Sequence, residues 1–168
     1  MSKLHNQDLT KIYDDCDFTL GEVVEVDQRK YRFVKYNSGA GAVDAVAGQV
    51  GYFVGTGTTG MSPWECTMDY DSAAAGTAIT CPNAVAGFFQ AALTDGKYGF
   101  TQITGLAKIA ALTDGNVAVG NRLSIGTTDG QIIPLADGTP PLEEIGVALA
   151  ADASTALAVG NLLIKVGE

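Results

Sequence analysis

The residues that could do chemistry are, first, three aspartates in identical settings. Thr-Asp-Gly occurs at 94–96, 113–115 and 128–130. Carboxylates repeated in this way could be metal ligands or catalytic acids and bases. Each copy, however, ends or separates short apolar runs, and Asp-Gly suits a tight hairpin turn because glycine adopts a positive φ at no steric cost. The spacing therefore predicts turns here and at Asp137-Gly138.

Other residue types needed for catalysis are scarce. His5 is the single histidine, so the chain can form neither a Ser-His or Cys-His nucleophile pair nor a site with several histidine ligands. It contains no Walker-type loop and no Rossmann fingerprint, and the glycine-rich stretch 39–48 is predicted to be a loop. We expect no catalytic residues, no metal site and no cofactor.

Two acidic clusters and three cysteines have plain interpretations. In DDCD (14–17), adjacent carboxylates on an extended chain point in opposite directions. After MDYD (68–71), the following residues lack the oxygen ligands of a calcium loop. Both clusters are predicted to be solvated. Cys16, Cys66 and Cys81 are odd in number and widely spaced, which predicts reduced thiols rather than a disulfide framework.

The charge distribution argues against some partners. The formal net charge is −9, with −1 in residues 1–37 (six Lys/Arg, seven Asp/Glu) and −8 in residues 38–168 (four and twelve). An acidic body repels phosphate backbones, so we expect no nucleic-acid partner. No stretch approaches the roughly 20 apolar residues of a membrane span, and the polar N-terminus does not read as a signal peptide. We therefore expect synthesis in the cytoplasm and no membrane partner.

Frequent glycines between short apolar runs indicate an all-β fold. Glycine accounts for 21 of 168 residues, and the runs that it separates are rich in strand-forming residues. Helical patterns are weak and confined to 71–76, 83–89 and 150–160. We predict a compact antiparallel β-barrel or sandwich-like domain over 18–168, with at most one or two short helices. The runs interpreted as strands are 21–26, 31–36, 49–54, 76–81, 87–93, 97–103, 105–112, 121–125, 131–135, 144–150 and 161–166.

Residues 1–17 are predicted to be a separate N-terminal arm. Ordering this segment costs roughly 15–30 kcal/mol in backbone entropy, at about 1–2 kcal/mol per residue. The few apolar side chains that it carries cannot offset that cost on the protein's own surface. We therefore expect an extended arm that is disordered or becomes ordered against a partner. Its apolar residues are Leu4, Leu9, Ile12 and Tyr13.

Two long segments resemble the head decoration, or capsid cement, proteins of tailed bacteriophages. FTLGEVVEVDQRKYRFVKYNSGAGAVDAVAGQV (18–50) has the family's Leu-Gly strand start, aromatic second strand and Ala/Gly-rich segment ending in Ala-Gly. The stretch from GLAKIAAL to NLLIKV (105–166) has its Val-Ala-x-Gly-x-x-Leu strand start and its final apolar strand. The sequence departs from the pattern at 27–30, where Asp-Gly is more typical, and the region 55–86 matches nothing in it.

The resemblance implies a β-rich protein on the outer surface of an icosahedral head. Such proteins commonly form trimers near three-fold positions and bridge neighbouring capsid subunits. The expected partners are the major capsid protein and further copies of the chain in a homotrimer, and the expected location is the virion. Residues 1–17 would then be the capsid-binding arm, with contacts from Leu4, His5, Leu9, Ile12 and Tyr13.

Two other functions stay open. A virion-displayed domain could bind glycans or a host surface through loops such as 55–75 and 136–143, with aromatic side chains as stacking platforms. The candidate platform residues are Tyr52, Trp64 and Tyr70. A small hydrolase would need carboxylates from Asp69, Asp71, Glu143 and Glu144, whose spacing forms no recognisable site.

Overall fold

The protein is all-β, as predicted. The structure, a computed structural model, describes residues 8–55, 61–70, 85–107, 116–126, 128–135, 144–151 and 162–166. These residues contain ten strands and no α-helix. The strands are β1 (Val23–Val26), β2 (Arg29–Tyr36), β3 (Val50–Gly55), β4 (Met61–Thr67), β5 (Val85–Phe89), β6 (Tyr98–Leu106), β7 (Arg122–Ile125), β8 (Ile132–Pro134), β9 (Gly146–Ala148) and β10 (Leu162–Lys165).

Five strands pair in a closed circuit, which we call the barrel. β2 pairs with β4, β4 with β3, β3 with β5, β5 with β6, and β6 returns to β2. All of these pairs are antiparallel except β2–β4, which is parallel. A parallel neighbour needs a longer connection than a hairpin, and the loop 37–49 together with β3 provides it. Closure leaves none of the five strands with a free edge along its paired length.

The remaining strands extend the sheet from one end of β6. The last residues of this nine-residue strand pair with β10, so that Leu106 lies opposite Leu163. β10 pairs with β9, β9 with β7, and β7 with β8, all antiparallel. We call β10, β9, β7 and β8 the C-terminal sheet. β1 pairs only with β2 among the named strands, as the outer strand of the first hairpin.

Three apolar clusters form the core. One lies in the barrel around Val34, Tyr36, Phe53, Cys66, Phe89 and Leu93. A second joins β3, β5 and β6 to the C-terminal sheet through Val50, Tyr52, Phe88, Leu123, Ile145 and Ile164. A third contains Leu9, Tyr13, Val24, Tyr31, Phe33 and Phe100. Because β5 contributes to the first two clusters from opposite faces, all five of its residues are buried.

Two predicted Asp-Gly turns fall on described residues, and both are turns. Gly96 and Gly130 have φ of +75° and +67°. In each turn, the amide after the glycine donates to the threonine carbonyl before the aspartate at 3.1 Å. Asp95 accepts a hydrogen bond from the Ser38 amide (3.1 Å), and Asp129 accepts one from the Tyr70 amide (2.9 Å). These carboxylates therefore hold distant loops. The pairs at 114–115 and 137–138 lie outside the described residues.

The runs predicted as strands at 21–26 and 31–36 form the first hairpin, with a turn shorter than the four residues between the two runs. Val26 pairs with Arg29, so the loop consists of Asp27 and Gln28 alone. Their φ values of +51° and +63° define a type I′ turn, which matches the twist of the flanking strands. Arg29 and Lys30, interpreted from the sequence as turn residues, begin β2.

Strand β4 was not predicted, because 55–75 was interpreted as loop. Pro63 has no backbone N–H to donate, and it argues against a strand in sequence. β4 accommodates it by a bulge: Gly55 pairs with Met61 and Phe53 with Cys66, so residues 62–65 face a single residue of β3. The helical pattern at 83–89 was also wrong, since β5 occupies 85–89. The strand predicted at 76–81 and the helical pattern at 71–76 lie outside the described residues.

Candidate functional site

The N-terminal segment 8–17 is docked on the barrel. Leu9 and Tyr13 are only 3% and 4% exposed, in the cluster formed with Phe33 and Phe100. The backbone of Tyr13 exchanges two hydrogen bonds with Tyr98 of β6, at 2.9 and 3.0 Å. Lys97 adds an ion pair to Asp14 at 2.6 Å. The Lys97 ammonium group lowers the pKa of the Asp14 carboxyl below its ordinary value.

This docking corrects the expectation that the arm cannot pack on the protein itself. The Tyr13 ring makes edge-to-face contacts with Phe18, Phe33 and Phe100 at centroid distances of 5.5, 5.6 and 6.2 Å. Aromatic pairs add stabilisation beyond the area that they bury. β2 and β6 build a pocket for Tyr13 that could not be seen in the sequence, and burial in this pocket offsets part of the entropy cost. Ile12 remains 47% exposed. Leu4 and His5 lie outside the described residues.

The exposed aromatic site is centred on Trp64 in the β4 bulge. Trp64 is 37% exposed and has φ +65°, a conformation that costs a bulky residue energy. Its indole lies against the backbone of Gly21, which itself has φ +81°. A Cβ at position 21 would come within 2.4 Å of the indole Cε2. Glycine is therefore required at position 21 for the indole to lie where it does.

A cation completes this site. The Arg32 guanidinium carbon lies 5.2 Å from the Trp64 ring centroid and 5.7 Å from that of Phe53, within cation–π range. Phe53 meets Trp64 edge-on, with the ring centroids 6.0 Å apart. Burial lowers the pKa of Arg32, although an arginine stays charged in proteins. We call Gly21, Arg32, Phe53 and Trp64 the Trp64 platform.

The other two candidate contact residues do not share this surface. Tyr52 is fully buried (0% exposed), so its prediction as a surface platform was wrong. Its side chain lies in the cluster between the barrel and the C-terminal sheet, and burial raises the pKa of its phenol. Tyr70 is half-buried and packs edge-on against Tyr52 at 5.9 Å. Trp64 is therefore the exposed member of the predicted trio.

The carboxylates considered for a hydrolase hold the fold where they are described. Asp69 is only 5% exposed and accepts the Gly41 amide at 2.9 Å, so its interpretation as part of a solvated loop was wrong. Glu144 pairs with Arg122 at 2.9 Å. Asp71 and Glu143 lie outside the described residues. Within the described ranges, no group of three or more His, Cys, Asp or Glu residues could hold a metal ion.

Two of the three cysteines are free thiols, as predicted. Cys16 is exposed and Cys66 is buried in the barrel. Burial raises the pKa of the Cys66 thiol well above its ordinary value, so this thiol is kept protonated and unreactive. Cys81 lies outside the described residues. In the part of the chain that the structure covers, no helix is long and apolar enough to cross a membrane.

Sequence reasoning missed Arg32 and Gly21. Arg32 lies in an ordinary alternating strand, and 32 positions separate it from Trp64, so spacing could not reveal the contact. Gly21 was noticed only as the start of a strand. One signal was Trp64 itself, because a tryptophan has a large apolar side chain that contributes strongly to packing in cores and interfaces.

Comparison with known proteins adds one structural similarity. No family model and no curated protein matches the sequence. The fold is similar to the crystal structure of the head fiber gp8.5 N base in bacteriophage phi29, with a TM-score of 0.45 and 19% sequence identity. The match covers 80% of this chain and 92% of that one. A similarity of this size does not establish a shared site or function.

Proposed function

We propose that this chain is a structural protein of a tailed-phage virion. It binds the outer surface of the icosahedral head and bridges neighbouring major capsid proteins, so that the shell is stabilised. The observation that carries the proposal is the sequence resemblance to decoration proteins over 18–50 and 105–166. The described parts of those segments include β1, β2, the loop after β2, and the C-terminal sheet.

The structure supports this proposal through the roles of its charged residues. Asp69, Asp95 and Asp129 accept backbone amides from other loops, and Glu144 pairs with Arg122. These groups hold loops of the barrel and of the C-terminal sheet in place. A rigid body suits a protein that binds several neighbours at once, because modest contacts then sum through effective concentration.

The attachment segment can be stated more narrowly than residues 1–17. Since Leu9 and Tyr13 are buried in the protein's own core, we propose that the capsid contacts come from Leu4 and His5, and from the exposed Ile12. Deleting the whole of 1–17 would remove Leu9 and Tyr13 from the core cluster that they form with Phe33 and Phe100. A loss of head binding by that variant could then result from a loss of folding. Deleting residues 1–7 leaves every residue of that cluster in place.

The test is sedimentation of the purified chain with phage heads that lack it. We expect the wild-type chain to sediment with the heads and the 1–7 deletion to remain mostly in the supernatant. Equal binding by the deletion variant would contradict the arm proposal alone. Absence of binding by the folded wild-type chain would contradict the proposed function.

Self-association follows from the same resemblance. We propose a homotrimer, for which sedimentation equilibrium should give a mass about three times the 17.3 kDa of one chain. A monomer mass at the concentrations used for head binding would contradict the trimer.

A second candidate function is glycan or host-surface binding. It is favoured by one observation, the 37% exposed indole of Trp64, because sugar rings stack on exposed aromatic side chains. Binding on a glycan array that is lost in Trp64→Ala, together with normal head attachment of that variant, would favour this function for the platform.

A further inference from the structure

We infer that the Trp64 platform is a receptor for a carboxylate side chain of a partner protein. The inference rests on the proposed function for the identity of that partner, a protein of the phage head. It assigns the site and the chemistry of the contact, neither of which depends on the N-terminal arm.

The first step is that Arg32 carries an unbalanced charge. Lys35, Lys97 and Arg122 each pair with a carboxylate at 3.4, 2.6 and 2.9 Å. In the described part of the chain, the Arg32 guanidinium forms no such ion pair. Its Nε is buried, whereas its two terminal nitrogens are not among the buried atoms that lack a hydrogen-bond partner. An incoming carboxylate would accept charge-assisted hydrogen bonds from these terminal nitrogens and balance the charge.

The second step is that the platform is preorganised. The indole of Trp64 packs against the backbone of Gly21 and meets the Phe53 ring edge-on. The backbone of Trp64 lies in the β4 bulge. Side chains that are already held lose little conformational freedom on binding. Tryptophan and arginine are also the residues most often found at the energetic centres of protein interfaces. The positive φ of Trp64 is strain of the kind that accumulates at binding sites.

The third step is the choice of a protein carboxylate over other anions or sugars. A chain with a net charge of −9 repels a polyanion such as DNA, whereas a single carboxylate can approach one local cation. A neutral sugar could stack on Trp64 and accept a hydrogen bond through a hydroxyl, but it would not balance the charge of the guanidinium. A carboxylate side chain matches the planar guanidinium and can also contact the indole edge.

The test uses four variants of the full-length chain in the head-sedimentation assay. Arg32→Gln removes the charge, Arg32→Lys keeps the charge but not the planar fork, and Trp64→Ala removes the aromatic face. Lys35→Gln is the matched control, because it removes a cation from the same strand. We expect Arg32→Gln and Trp64→Ala to weaken binding at least about tenfold, Arg32→Lys less, and Lys35→Gln less than about twofold.

A second measurement works without heads. Trp64 is the only tryptophan, so its fluorescence reports on this site alone. At constant ionic strength, the α-amide of N-acetylglutamate, whose one carboxylate is the side chain, should cause a saturable change in emission. This change should be absent with N-acetylglutamine α-amide, which has no carboxylate, and absent in Arg32→Gln. Thermal unfolding followed by circular dichroism checks that each variant is folded.

The outcomes separate the two proposals. If the wild-type chain binds heads and the folded Arg32→Gln and Trp64→Ala variants bind equally well, this inference is overturned and the proposed function stands. If Trp64→Ala alone loses binding and a neutral sugar competes, the platform is a glycan site and the carboxylate assignment is wrong. If the wild-type chain binds no heads, the proposed function fails. In that case, equal fluorescence responses to the glutamate and glutamine derivatives would overturn the inference as well.

Discussion

Replacing Tyr13 with alanine tests whether the N-terminal segment belongs to the fold. The side chain is 4% exposed and makes three edge-to-face aromatic contacts. Truncating a buried aromatic residue to alanine costs about 3–5 kcal/mol when the cavity does not collapse. Because Tyr13 is joined to the sheet by one isolated bridge to Tyr98, its segment can relax around the cavity, and we expect the lower end, about 3 kcal/mol. That is a large part of the roughly 5–15 kcal/mol of a typical domain.

The assay is urea unfolding followed by circular dichroism and Trp64 fluorescence, with the free energy of unfolding extrapolated to water. Ile12→Ala is the matched control. The Ile12 side chain is next to Tyr13 in the chain but is 47% exposed, so we expect the free energy of unfolding to change by less than about 0.5 kcal/mol. Tyr13→Phe should also cost little, since the Tyr13 hydroxyl donates to the Asp8 carbonyl at 3.5 Å, near the limit for a hydrogen bond. A Tyr13→Ala variant within about 0.5 kcal/mol of wild type would refute the docking of this segment.

Three further predictions follow from the described contacts. Gln28→Gly should raise the free energy of unfolding by about 1 kcal/mol in the same urea assay, because glycine adopts φ +63° without strain; an unchanged midpoint would argue against the type I′ turn. Gly21→Ala should lower it by about 2 kcal/mol or more and shift the Trp64 emission, since the new Cβ meets the indole; wild-type emission would contradict the platform geometry. In an alkaline titration read by tyrosinate absorbance, four of the six tyrosines should ionise above the ordinary pKa of 10, and ionisation of all six near that value would contradict their burial. Those four are Tyr13, Tyr31, Tyr36 and Tyr52. Burial keeps these four phenols neutral in the folded protein, whereas in the unfolded chain they ionise near pH 10. The free energy of unfolding is therefore unaffected by them below about pH 10 and falls as the pH rises beyond it.

Local features of the fold were predictable from the sequence. The first hairpin and the Asp-Gly turns at 95–96 and 129–130 depend on residues that are adjacent in the chain, and the structure confirms them. The last strand was predictable because its apolar residues alternate: Leu162 and Ile164 are buried on either side of the exposed Leu163.

Features that depend on distant residues were not predictable. β2 pairs with β6 to close the barrel, and it pairs in parallel with β4. Neither pairing can be inferred from the sequence of one strand alone. Tyr13 docks in a pocket built from β2 and β6, and Arg32 meets a tryptophan that lies in the bulge of another strand. For the same reason, Tyr52 and Trp64 looked equivalent in sequence but lie in the core and at the surface, respectively.

The most direct test of the proposed function is the thermal stability of phage heads with and without the protein. Heads packaged with DNA and lacking this chain would be heated alone, with the wild-type chain, and with the Arg32→Gln variant, and DNA release would be followed with a dye that cannot enter intact heads. A head-stabilising protein predicts that the wild-type chain raises the release temperature in a saturable manner, and that Arg32→Gln requires a higher concentration for the same rise. Release at one and the same temperature with and without saturating, folded wild-type chain would contradict a stabilising role on the head.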